Sequence, residues 1–233
     1  MVCIKRLNLI AGIKGKKSEI WNIFTPAKPG NVKHMKTCIV IAVSILVGCS
    51  TGKDSYKKEV RLLQKGKIID DTSYIYGMPY EKENSHLLIQ GYYGPFSHKN
   101  RVALDFTMKR GTKIIAVRDG VVIRSREDNS KGGYSKKYMD KANYIIIQHS
   151  DGTRAGYWHL QQNGALVNMG DTVRKGQVIA LSGKTGYTFL PHLHFIVWTF
   201  NNRGEWQQVP THFQTSKGIK YLRPLRRYRS RNQ

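Results

Sequence analysis

From Tyr76 onward, apolar and polar residues alternate in short runs separated by Gly, Asp and Asn. A period of two marks a strand with one buried face. The pattern is plain over 102–108, where Val102, Leu104 and Phe106 point one way and Ala103 and Asp105 the other. Segments 113–118 and 120–125 read as strands joined at Asp119-Gly120, a hairpin signal. Segments 144–148 and 153–159 flank Ser150-Asp151-Gly152, a second hairpin. Residues 170–177 form a turn-rich link into a strand over 178–181. Between them, 127–142 is a polar loop long enough to be functional or mobile. After residue 75 no helix longer than two or three turns is signalled. Many short strands at this spacing predict an all-β fold, a sandwich or barrel-like core.

One stretch carries chemistry as well as pattern. It is 182–198, S-G-K-T-G-Y-T-F-L-P-H-L-H-F-I-V-W. On a strand, His192 and His194 project from one face while Leu193 and Phe195 enter the core. Pro191 sits where a strand begins without losing a ladder hydrogen bond. Two aligned imidazoles on a rigid strand suit a metal ligand beside a general base.

The front of the chain differs. Residues 1–34 are basic and lack a sustained apolar period. Met35-Lys36-Thr37 then precedes an apolar run over 38–48 that ends at Cys49. A charged start, a short apolar run and small residues before a cut read as an export signal. The run is well short of the roughly 20 residues that span a bilayer. The expected layout is an extension plus signal over 1–48, a tether over 49–75 with one helical turn, a β-core over 76–210 and a basic, solvated tail over 211–233.

The net charge of +24 predicts attraction to a polyanion, whether nucleic acid, anionic lipid or an anionic envelope polymer. No helix-turn-helix, zinc knuckle or aromatic RNA platform appears, so nucleic acid is not an expected partner. The chain has three cysteines. Cys3 and Cys38 would be lost with the signal, which leaves no disulfide and makes the packed sheet carry stability.

Two resemblances sharpen these readings. Leu46-Val47-Gly48-Cys49 resembles the lipobox of bacterial lipoproteins. It implies cleavage before Cys49, a lipid on its thiol, and a location in the cell envelope anchored to a membrane. Farther on come Ser97-His98 through Asp105-Phe106, G-Y-W-H-L at 156–160, G-D-T-V-R-K-G-Q-V-I at 170–179, and S-G-K-T-G with P-H-L-H-F up to residue 195. In this order they resemble the lysostaphin/LytM-type zinc endopeptidases of bacterial cell walls. The resemblance implies that Asp105 and His194 bind one Zn2+, that His159 and His192 are catalytic without being ligands, and that the substrate is peptidoglycan, cut in stem peptides or cross-bridges. It also implies the LytM-type fold, a compact antiparallel β-sheet core with long loops and a groove across it.

One position departs from that pattern. The family's metal motif is His-x-x-x-Asp, yet Arg101 stands four before Asp105. Arginine keeps its charge and cannot ligate zinc. The nearest upstream histidine is His98, seven before Asp105. Four extended residues span about 13 Å, whereas ligands of one zinc lie within about 4 Å of each other. Even the usual spacing must bend, and Pro95, Ser97 and Asn100 make this approach loop-like. His98 is therefore the expected third ligand. The rival expectation is a metal-free module in which Arg101 pairs with Asp105 and the groove binds wall and activates amidases. Among other candidates, Tyr92 or Tyr93 reads as a groove wall, His149 as structural, and His86 and His212 have no partner in the pattern. The basic surface is expected to meet anionic wall polymer or lipid headgroups.

Overall fold

The structure is a computed structural model that describes residues 52–70, 74–201 and 203–231. The expected export signal, the lipobox-like segment ending at Cys49 and the expected leading extension lie outside the described residues.

Among the described residues the largest sheet has nine strands. Its path runs Thr172–Val173, Gly120–Arg126, Tyr144–Gln148, Arg154–Trp158, His192–Phe200, Ala103–Thr107, Ser85–Gln90, Arg226–Arg229, and Trp206–Gln208 pairs with the end of His192–Phe200. All of these neighbours are antiparallel. A three-stranded antiparallel sheet of Lys113–Ile115, Val178–Ser182 and Leu160–Ala165 stands apart from it. A second three-stranded sheet joins Ile75–Tyr76, parallel, and Gly218–Tyr221, antiparallel, to His212–Thr215, and the short parallel pair Gly132–Gly133 with Gly186–Tyr187 completes the described strands. The fold is all-β in its core, as the alternation predicts.

Alternation also decides what each face does. Leu104, Phe106, Ile145, Ile147, Tyr157, Leu193, Phe195 and Val197 are buried together in one core. Their neighbours in sequence, Asp105, Trp158, His192 and His194, therefore take the opposite face. Burying aromatic and branched side chains here contributes about 1.5–3 kcal/mol each, which holds the polar face in register.

Three expectations are corrected. First, 113–118 and 120–125 do not form a hairpin. Lys113–Ile115 pairs with Val178–Ser182, while Gly120–Arg126 pairs with Tyr144–Gln148 and Thr172–Val173. The chain changes sheets at Asp119-Gly120. A side chain at Gly120 would meet the backbone and side chains of 147–149, so close packing, not a two-residue turn, requires the glycine.

Second, the tether contains an α-helix, Gly52–Lys65. Val60 and Leu63 are buried in the core and Tyr56 packs against it. Spacings of four and three place these residues on one helical face. The Tyr56 hydroxyl donates to the Gln208 carbonyl at 3.0 Å, and Gln64 Nε2 to the Leu222 carbonyl at 2.7 Å.

Third, the basic end is not a solvated tail. His212–Thr215, Gly218–Tyr221 and Arg226–Arg229 are strands, and Leu222 is fully buried. In Arg226–Arg229 only Tyr228 turns inward, opposite His86. The three arginines face water from an edge strand, and exposed charge there discourages pairing with another chain.

Candidate active site

The register of three strands builds the site. Asp105 lies directly opposite His194, and His194 directly opposite Trp158. Directly paired residues on one sheet face have Cβ atoms about 4.5–5.5 Å apart. His192 lies opposite Thr107, two residues along the same face. His98 arrives from the loop before Ala103–Thr107. The Arg101 amide donates to the His98 carbonyl at 3.0 Å, closing a turn that brings the ring back over the strand.

Asp105 is the hub. Its Oδ1 accepts from His194 Nδ1 at 2.7 Å, and its Oδ2 lies 3.2 Å from His98 Nε2. His98 Nε2 and His194 Nδ1 are 3.2 Å apart. His192 Nε2 stands 3.7 Å from Asp105 Oδ1. The His159 ring lies 4.6 Å from that of His192 and 5.8 Å from that of His194, centroid to centroid. Two overlapping three-donor groups result, His98/Asp105/His194 and His159/His192/His194, each with donor atoms within 4.8 Å. The structure thus gathers all five residues singled out from sequence.

Backbone carbonyls orient three of the four rings. His98 Nδ1 lies 3.1 Å from the Gly91 oxygen, His159 Nδ1 2.7 Å from that of Thr185, and His192 Nδ1 2.8 Å from that of Leu190. A carbonyl only accepts, so each Nδ1 carries the proton. A singly protonated ring held in this way turns the lone pair of Nε2 to the site, as a metal ligand or a proton acceptor requires.

His159 reaches the site by an unusual backbone. It follows Trp158 at a strand end, where alternation would turn it to the other face. Its φ is +64°, in the left-handed region that a non-glycine residue rarely adopts. That turn swings the ring toward His192. Non-glycine residues in this region concentrate at functional sites, where surrounding contacts hold them.

Electrostatics set the charge states. Burial alone would raise the Asp105 carboxyl, but the charge and hydrogen bond of His194, the hydrogen bond of His98 and the charge of His192 hold it well below the usual carboxylate range. Loss of water pushes the His159 imidazole down to about 3, helped by His192 and His194. Burial also lowers His194, opposed by Asp105. Burial thus favours the uncharged form of His159 and His194, while the histidines around Asp105 favour its ionised form.

Gln90 escaped the sequence reading. Its Nε2 donates to Asp105 Oδ2 at 2.9 Å and to Ser97 Oγ at 2.8 Å. Its Oε1 accepts from the Phe96 and Ser97 amides at 3.0 and 3.2 Å. One amide thus orients the carboxylate and ties down the loop that carries His98. Its one visible signal is a polar residue at an inward position ending the run S-H-L-L-I-Q. Thr185 was also missed: its hydroxyl accepts from the Asn143 amide and donates to the Leu160 carbonyl, fixing the segment whose carbonyl holds His159.

Other candidates fall elsewhere. Arg101 is exposed, and Asp105 has no arginine partner among the described residues. Tyr92 is a core residue, not a groove wall: its hydroxyl meets Thr211 Oγ1 and accepts from the Thr211 amide, both at 3.0 Å. His149 is buried with Nδ1 donating to the Asp119 carbonyl at 2.7 Å. His86 donates from Nδ1 to the Thr107 carbonyl at 2.8 Å, and His212 packs on Tyr221.

Residues 99–208 match the family model described as Peptidase family M23. The match begins one residue after His98. Glycyl-glycine endopeptidase ALE-1 of Staphylococcus capitis is 36% identical over 135 residues, covering 55% of this chain and 34% of its own. Lysostaphin of Staphylococcus simulans is 35% identical over 129 residues, covering 52% and 24%. The peptidoglycan DD-endopeptidase ShyA of Vibrio cholerae is 30% identical over 172 residues, covering 64% and 37%. The chain therefore spans between 24% and 37% of the length of these relatives. The solved catalytic domain of lysostaphin from Staphylococcus simulans is 29% identical and covers 54% of this chain and 88% of that one, with a TM-score of 0.39. At that score the likeness adds nothing to the fold, which rests on the strands themselves. The motifs, the gathered Asp and His side chains and the matched region agree, and residues 99–208 of this chain match a peptidase family M23 domain.

Proposed function

We propose that this chain is a zinc-dependent endopeptidase that hydrolyses peptide bonds in peptidoglycan. The observation that carries the reading is the convergence of His98, Asp105, His159, His192 and His194 on one sheet face. His98, Asp105 and His194 would hold the metal. Two imidazoles and one ionised carboxylate suit zinc, and three protein ligands leave the open position of a catalytic site. Zinc bound there would supply a Lewis acid and a water of lowered pKa.

The chain's own groups do the rest. Gln90 and the Gly91 carbonyl orient Asp105 and His98. His159 and His192 each have Nδ1 tied to a backbone carbonyl, which leaves Nε2 for the site. A neutral imidazole accepts the proton of the attacking water, and the protonated ring then steadies the developing oxyanion or gives the proton to the leaving amine. His192 Nε2 stands 3.7 Å from Asp105 Oδ1, beside the atoms that would hold the metal. The names of the relatives, a glycyl-glycine endopeptidase and a peptidoglycan DD-endopeptidase, support a wall peptide as substrate. The lipobox-like segment supports an envelope location, with a lipid on Cys49 holding the chain to a membrane.

The metal-free alternative needs Arg101 against Asp105. Arg101 faces solvent, and histidines and Gln90 surround that carboxylate instead. Digestion of isolated wall sacculi tests the proposal. New amines should appear with zinc, vanish after chelation and return on adding zinc back. Binding to sacculi with no release at any zinc level would favour the activator.

A further inference from the structure

A second concave site lies away from the Asp and His cluster. A cavity of about 810 Å³ opens between the end of the Gly52–Lys65 helix, the Gly218–Tyr221 strand and the Arg226–Arg229 edge strand. Its walls carry Lys65, Lys217, Lys220, Arg223, Arg226 and Arg227. Among the described residues, none of these six forms an ion pair with a carboxylate. The one acid in the lining, Glu83, pairs with Arg229 at 3.7 Å. Arg223 is fixed in place, with Nε donating to the Gln64 carbonyl at 2.6 Å. A smaller concavity sharing Gln64, Lys65, Arg223 and Arg226 adds Arg61. Beside them stand Glu83 and Asp70, which accepts from the Tyr221 hydroxyl at 3.1 Å, and cations in such excess cost self-repulsion, which an anionic ligand would relieve.

The surroundings say which anion. Ile68, Ile69 and Ile219 line the cavity and are exposed, Ile69 at 89%. Leu225, between Pro224 and Arg226, is 80% exposed. Its φ of +62° is costly for a branched residue, and its amide is tied to the Leu88 carbonyl at 2.7 Å. Folding thus holds a leucine outward beside the arginines. A soluble polyanion would need only the cations. Cations ringed by projecting aliphatic side chains match a bilayer surface, with charge at the headgroups and apolar tips below them.

We propose that this basic cavity and its aliphatic rim form a docking site for anionic phospholipid headgroups. The face would seat the β-core against a membrane independently of any acyl chain on Cys49, and it does not depend on peptidase activity. Each Lys or Arg near an anionic surface is worth about a five-fold change in binding, so reversing three should weaken it by more than a hundred-fold.

The test uses the full chain carrying Cys49→Ser, so that no lipid is attached. It is co-sedimented with phosphatidylcholine vesicles, with or without phosphatidylglycerol, and separately titrated with inorganic phosphate and with polyphosphate. Binding should rise strongly with phosphatidylglycerol and fall with salt. Lys217→Glu/Lys220→Glu/Arg226→Glu should abolish that rise. Ile69→Ser/Leu225→Ser, which leaves every cation in place, should reduce it at least ten-fold. Equal binding to both vesicle types, or an unchanged charge-reversal variant, would overturn the proposal. So would a serine variant that matches the parent while phosphate or polyphosphate binds as tightly as vesicles, since the site would then hold a soluble anion. A retained thermal melting transition shows that each variant still folds.

Discussion

Replacing Gln90 with leucine should weaken zinc binding although Gln90 would touch no metal. The side chain is buried, and its Nε2 donates to Asp105 Oδ2 at 2.9 Å. A hydrogen bond to a charged group is worth about 1.5–3 kcal/mol, equivalent to about a 10- to 150-fold change in an equilibrium constant. Groups that orient a metal ligand typically account for 10- to 100-fold in affinity, and the two ranges agree. The substitution also strips the Phe96 and Ser97 amides of their acceptor. The loop that brings His98 to Asp105 should therefore loosen, adding to the loss. Competition against a chromophoric chelator measures the affinity directly. The expected result is a dissociation constant raised at least ten-fold, with a slower refilling of the chelated protein. An affinity within two-fold of the parent would show that Asp105 and His98 hold their positions without Gln90, and the account of how the loop is placed would be wrong.

Further outcomes follow from the same geometry. His159→Ala and His192→Ala should each lower sacculus digestion by about 10²–10⁴-fold, the usual share of acid–base catalysis, while zinc content stays at the parent level; loss of zinc in either would make that residue a ligand. The zinc-free fold should weaken in acid. Burial holds His86, His149, His159, His194 and His212 below their usual 6.5, and His194 with His98 holds Asp105 below its usual 3.8. The unfolded chain then binds more protons than the folded one, so stability is full at neutral pH and falls as pH drops below about 6.5; a melting temperature that is flat or rising from pH 7 to pH 4 would contradict this. Tyr228→Ala should cost about 3–5 kcal/mol, as for a buried aromatic, because its ring is buried and its hydroxyl accepts from the Arg223 amide and donates to the Arg223 carbonyl. A change under about 0.5 kcal/mol in denaturant unfolding would return the basic end to a solvated tail.

What could be read without coordinates was whatever obeys a local period. Strand alternation separated Leu104 and Phe106 from Asp105, and Leu193 and Phe195 from the two histidines, and the sheet keeps both divisions. The Asp119-Gly120 signal misled because glycine there serves close packing between sheets. The Gly52–Lys65 helix was hidden because few apolar residues, Tyr56, Val60 and Leu63 among them, pack inward from a charged sequence. The basic end looked solvated because three of four residues in Arg226–Arg229 do face water, and only Tyr228 reports the sheet beneath. Gln90 and the left-handed turn at His159 depend on contacts between distant segments, which leave no period. The turn at His98–Arg101 is of the same kind: spacing allowed the ring to reach Asp105, and the backbone bond between the two residues shows how it does.

Zinc content of the purified chain, compared with His98→Ala and Arg101→Ala, tests the central claim most directly. The account predicts about one zinc per chain in the parent and in Arg101→Ala, and nearly none in His98→Ala, because three protein ligands are needed to hold a catalytic ion. Full zinc in His98→Ala, or no zinc in the parent at any supplied concentration, would contradict it.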